Sequence, residues 1–196
     1  LQQTLPVANV RPGSLYPYFS MLSIWNLNIH NDLLGDYNIV ALFNWEDELK
    51  EISFTTEELG IDSNIEYSLF EFWTEKYFGE FRGTFSMNVP PHNVRLLAIH
   101  KIKQIPQWIS SDRHVTQNAL ELKGFEWNDK ARTITGKIEL IDTFPLTMRI
   151  RIPKDYSFKK IECKDLNHSV STENNEILAI TFIAKKKGYY SFILKF

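Results

Sequence analysis

Short apolar runs, most of them alternating with polar residues, recur along the whole chain, and turn residues separate them. In the first half they cover residues 21–28, 37–45, 51–54, 67–73, 77–81, 84–89 and 94–100. In the second half they cover 119–127, 133–141, 146–152, 158–163, 169–172, 177–184 and 189–196. A period of two over such lengths predicts half-buried strands. Arg149-Ile150-Arg151-Ile152 shows the pattern at its strictest and predicts apolar side chains inward and charge outward. Pro90-Pro91 breaks one strand from the next, because proline donates nothing to a ladder. One helical turn is expected, where Thr55-Thr56 precede Glu57-Glu58-Leu59-Gly60 in a capped arrangement closed by glycine. No amphipathic run is long enough for a crossover helix, which excludes a parallel α/β architecture. The expected fold class is all-β, two antiparallel β-sandwich domains in tandem. Residues 1–20, with Pro6, Pro12, Gly13 and Pro17, read as an extended arm or linker. Residues 21–101 read as the first sandwich and 119–196 as the second. The alternation breaks down over the join at 102–118.

Composition fits this picture, since 14 Phe, 8 Tyr and 5 Trp suit half-buried pleated surfaces. The net charge of −2 conceals an asymmetry. Residues 1–101 carry 6 basic and 13 acidic side chains, a net −7, and the remainder carry 16 and 11, a net +5. Two domains of opposite sign are expected. The pI near 6.2, with basic residues dispersed over alternating strands, argues against a nucleic-acid footprint. The single Cys163 permits no intramolecular disulfide and reads as a structural thiol without a histidine partner. No segment is apolar for long enough to cross a bilayer, and no leader pattern is visible at the N-terminus, so the compartment is left open. The chain begins Leu1-Gln2-Gln3-Thr4 rather than with Met, which suggests a processed chain or an excised piece.

Candidate chemistry is sparse. Glu46-Asp47-Glu48 fall on a turn, and neighbours on a strand face opposite sides, so they form no acid/base pair. Glu71 and Glu75 have no partner pattern. His30, His92, His100, His114 and His168 lack the spacings of zinc sites. There is no phosphate-cradling loop and no nucleophile elbow. No catalytic residue, metal or cofactor is assigned. Sugar rings stack on exposed aromatics, and the candidates for that role are Trp108, in the join, with Tyr16 and Tyr18, in the arm. Trp45 and Trp73 end apolar strands and are expected to cap a core. Asp112-Arg113-His114 is the densest polar cluster, read as a hydrogen-bonded inter-domain hinge.

Four phrases carry a family resemblance. They are Ile24-Trp25-Asn26-Leu27, the stretch from Asp36 through Ile39-Val40-Ala41-Leu42-Phe43-Asn44-Trp45, the stretch from Pro90-Pro91-His92 to His100, and Pro106-Gln107-Trp108 to Gln117. Across about residues 21–118 the chain resembles the C-terminal β-sandwich region of α-galactosidases of the melibiase and raffinose-synthase-like kind. Residues 119–196 hold no such phrase. The resemblance implies a (β/α)8 barrel carrying two catalytic aspartates, followed by a sandwich. This chain has neither the strand–helix array nor the length for the barrel, so no residue inherits a catalytic role. The expected function is a non-catalytic accessory region of a glycoside hydrolase, whose partner is the missing barrel or parent chain. The alternatives are a carbohydrate-binding module and a protein-interaction sandwich.

Overall fold

The structure is a computed structural model and describes the backbone of residues 10–12, together with residues 22–117, 120–141, 144–173 and 176–196. The fold is all-β, and every strand pairing is antiparallel. The chain divides into two units, residues 1–30 with 36–102 and residues 31–35 with 103–196.

The first unit contains β1 (Val10–Pro12), β2 (Ile24–Ile29), β3 (Tyr37–Asn44), β4 (Lys50–Thr55), β5 (Tyr67–Glu71), β6 (Lys76–Phe81), β7 (Thr84–Val89) and β8 (Asn93–Lys101). Six of these form one sheet in the order β1-β2-β3-β8-β5-β6, and β4 pairs with β7 in a second. Directly paired residues share a face, so the register divides the large sheet into two apolar surfaces. On the inner one, Ile24, Val40, Leu42, Leu69, Leu97 and Ile99 pack against Ile52, Phe54 and Val89 of the small sheet. The capped turn forms as the sequence suggests. Glu58 accepts from the Thr55 amide at 2.8 Å, the Thr55 hydroxyl accepts from the Glu58 amide at 3.2 Å, and Gly60 closes it at φ 71°.

The second unit contains β9 (Gln107–Ser111), β10 (Leu122–Asn128), β11 (Thr133–Leu140), β12 (Leu146–Arg151), β13 (Lys160–Cys163), β14 (Asn167–Glu173), β15 (Ile177–Ile183) and β16 (Gly188–Lys195). Its sheets run β10-β11-β16-β13 and β14-β15-β12-β9. Between them lie Ile134, Ile138, Met148, Ile150, Ile180, Phe182, Phe192 and Leu194. Gly136 is required where Phe192 crosses β11, because a Cβ there would stand 2.0 Å from the ring.

Two features depart from the sequence pattern. Gln107–Ser111, inside the stretch without alternation, is a strand. All five of its residues are buried, so both faces are covered and no polar side remains to alternate. Arg149 and Arg151, expected to face water, are also buried. The Arg151 guanidinium donates to the Lys103 carbonyl at 3.1 Å.

The loop between β2 and β3 contributes to the second unit. Asn31 accepts from the Leu33 and Leu34 amides at 2.9 and 3.0 Å, and Gly35, at φ 85°, donates back to the Asn31 carbonyl at 2.8 Å. The turn inserts Leu34 into the second core. Its carbonyl accepts from the Lys103 ammonium at 2.8 Å, and burial holds the Lys103 pKa below its usual value.

Candidate functional site

The outer face of β2, β3 and β8 carries the most distinctive surface of the first unit. Trp25 pairs with Ala41, and Phe43 pairs with Val94, so these side chains share one face. Leu27 joins them along β2, and Trp45 follows at the end of β3. Trp45 lies flat on Phe43, with centroids 4.9 Å apart and planes 3° apart. Both exposed indoles are anchored, since Trp25 and Trp45 donate to the same Leu22 carbonyl at 3.3 and 3.1 Å. Trp45 is 45% exposed, Trp25 36% and Trp73 57%. The expectation that Trp45 and Trp73 cap a core is therefore wrong. The alternation that aims Leu42 and Asn44 inward aims Phe43 and Trp45 outward.

Asn44 fixes the position of Trp45. Its amide donates to the carbonyls of Glu48 at 2.7 Å and Val89 at 2.9 Å, while its oxygen accepts from Glu46 at 3.0 Å. These bonds bind the turn after β3 to the turn at Pro90. On the same turns His92 meets Asp47 at 2.8 Å, with His92 in the left-handed region at φ 49°.

Trp108 is fully buried on β9, edge-on to Phe125 at 5.8 Å. A ring with no exposed face cannot stack on a sugar, which removes Trp108 from that role in this structure. Tyr16 and Tyr18 lie outside the described residues. Among the described residues, the side chains of Asp112, Arg113 and His114 meet partners in the second unit. Asp112 accepts from the Thr147 amide at 2.9 Å, and Arg113 donates to the Phe144 and Pro145 carbonyls at 2.8 and 3.2 Å. His114 stands 3.9 Å from the buried carboxylate of Glu121, whose other oxygen accepts from the Ser111 hydroxyl. The cluster thus ties β9 to β12 and to the loop before it.

Glu71 offers no free carboxylate. It is fully buried, and its Oε1 accepts from the Trp73 and Leu96 amides at 3.2 Å each. Its Oε2 accepts from the Thr74 amide at 2.6 Å and from the Thr74 hydroxyl, with Arg95 at 3.8 Å. This is the anchor of the β5–β6 turn.

The sequence reading missed one pairing. Cys163 Sγ lies 3.2 Å from His168 Nδ1, brought together by the short crossover from β13 to β14. Burial pushes the thiol pKa up, so the sulfur stays protonated at neutral pH. The i, i+5 spacing alone gives no hint of the contact. Among the described residues, no group of three or more His, Cys, Asp or Glu could hold a metal ion. No described helix is long and apolar enough to cross a membrane.

Residues 24–99 match the family model of the alpha galactosidase C-terminal beta sandwich domain. The matched span covers most of the first unit, together with residues 31–35 of the second, and contains the first two of the four phrases, with the third running one residue past its end. No curated protein matches the chain. Among solved structures, the chain is similar to α-galactosidase I from Mortierella vinacea, at 20% identity and a TM-score of 0.37, over 48% of this chain and 23% of that one. It is also similar to a GH27 β-L-arabinopyranosidase from Geobacillus stearothermophilus, at 17% identity and a TM-score of 0.34, over 39% of this chain and 16% of that one. The chain thus spans less than a quarter of the length of either enzyme.

Proposed function

We propose that this chain is the non-catalytic C-terminal accessory region of an α-galactosidase-like glycoside hydrolase, and that its first sandwich buttresses a catalytic barrel. The observation that carries the reading is the family match over residues 24–99. The outer face of that unit supports it. Trp25, Leu27, Ala41, Phe43, Trp45 and Val94 form a partly exposed apolar surface, and large contiguous patches of this kind mark interaction surfaces.

Two experiments test this. The chain alone, incubated with an aryl α-galactoside, is expected to hydrolyse it no faster than buffer, and enzymatic turnover would overturn the non-catalytic assignment. The coding sequence upstream of Leu1 is expected to encode a (β/α)8 barrel in frame, and an unrelated fold there would overturn the buttressing role.

Carbohydrate binding is the second reading, favoured by one observation. Trp45 presents a flat, anchored and half-exposed indole beside Trp25. Titration with oligosaccharides is expected to perturb tryptophan fluorescence under this reading, and Trp45→Ala to abolish the change. An unaltered spectrum at millimolar sugar leaves the buttressing role alone.

A further inference from the structure

The sheet β10-β11-β16-β13 has an uneven edge. β16 pairs with β11 along its full length, whereas β13 meets only residues 192–195. Beyond Cys163 the chain leaves the sheet through Lys164 and Asp165, the latter at φ 59°. Residues 188–191 therefore have no strand partner on that side among the described residues. Alternate residues of an antiparallel ladder turn their N–H and C=O groups to opposite sides, so this segment presents backbone donors and acceptors to the space that β13 leaves.

That space is a groove of about 560 Å³, with Lys164 and Asp165 on one wall and Lys185, Lys186, Tyr189 and Tyr190 on the other. It adjoins a second hollow of about 610 Å³ through the shared residues Lys164 and Ser191. The charge is one-sided. Lys164, Lys185, Lys186 and the neighbouring Lys187 form no ion pair among the described residues, and Asp165 is the single carboxylate of the groove lining. In the second hollow Glu162 is already held between Lys160 at 2.7 Å and Lys195 at 2.9 Å. The wall is also fixed, since the Tyr190 hydroxyl donates to the Lys186 carbonyl at 2.8 Å.

We propose that this notch binds an extended acidic peptide segment of a partner protein, added as a strand along residues 188–191 with its carboxylates against Lys164, Lys185 and Lys186. Strand addition uses main-chain bonds for affinity and flanking side chains for selection, and the notch supplies both. Lysines also serve simply to keep exposed edges from pairing. Here that explanation fits poorly, because β14, the fully exposed edge of the other sheet, has no lysine in its seven residues. An acidic polysaccharide would match the charge but would leave the strand edge unused.

The test uses the full chain and a synthetic capped hexapeptide alternating valine and glutamate, followed by calorimetry and amide NMR. Saturable binding is expected, with amide shifts centred on residues 188–191. Lys164→Glu with Lys186→Glu is expected to weaken it tenfold or more, while amide shifts elsewhere show that the variant remains folded. The same peptide methylated on all its backbone nitrogens is expected to lose binding. Equal binding by the methylated peptide, tighter binding by hexagalacturonate, or no binding by the acidic peptide at millimolar concentration would each overturn the proposal.

Discussion

Replacing Glu71 by glutamine changes one atom and removes one charge, and it isolates what the buried carboxylate does. The two oxygens of Glu71 accept four hydrogen bonds, from the amides of Trp73, Thr74 and Leu96 and from the Thr74 hydroxyl. In Glu71→Gln the remaining oxygen can keep the Trp73 and Leu96 amides. The new NH₂ group then faces the Thr74 N–H, which was 2.6 Å from its acceptor. The Thr74 hydroxyl can rotate and accept, but the amide cannot. One buried donor is left unpaired, at about 1–3 kcal/mol, and the retained bonds lose the strengthening an ionised acceptor gives. The expected loss is about 2–4 kcal/mol, which at ordinary urea m-values lowers the midpoint by about 1–2 M. Urea unfolding monitored by far-UV circular dichroism and tryptophan fluorescence measures it, with exposed Glu57→Gln as the control, expected to cost at most about 0.5 kcal/mol. A midpoint for Glu71→Gln that matched the Glu57→Gln control would refute the idea that this charge anchors the β5–β6 turn.

Gly136→Ala places a methyl 2.0 Å from the Phe192 ring and is expected to cost about 1–3 kcal/mol by denaturant titration, as overpacking does. Trp108→Ala should cost about 3–5 kcal/mol in the same assay. Trp108→Phe should cost less than half of that, because the lost Nε1–H is buried with no acceptor among the described residues. Glu162 is held at a pKa of about 2, chiefly by Lys160 and then by Lys195, against a usual 4.5. A depressed acid stabilises the fold above its unfolded pKa, so its contribution is expected to disappear as pH falls from 4.5 through about 2. Carboxyl NMR titration checks the value, and Lys160→Ala should raise it.

Strands were legible in the sequence where one face is wet and the other dry. β11 is such a case, its odd and even positions alternating between solvent and core from Thr133 to Leu140. The signal fails when both faces share one environment. β9 is buried on both sides and looks like a polar linker, while β14 is exposed throughout and extends beyond the four residues its pattern suggests. The surface of the first unit was harder to read than its core. Periodicity places Phe43 and Trp45 opposite Leu42, but not on the wetter side, because aromatic residues on both faces of β3 look equally like core. Contacts made across a crossover, such as Cys163 with His168, depend on where the chain turns and leave no trace in spacing.

Leu34 has a consequence for heredity and engineering. It is encoded between two strands of the first unit, yet its side chain fills part of the second core. The second unit is therefore not a cassette that a recombination event, or a cloning boundary at residue 103, could carry away whole. A chain of residues 103–196 would fold around a vacancy the size of a leucine and would leave Lys103 without the carbonyl it grips. A boundary that keeps the second core whole must therefore also keep residues 31–35.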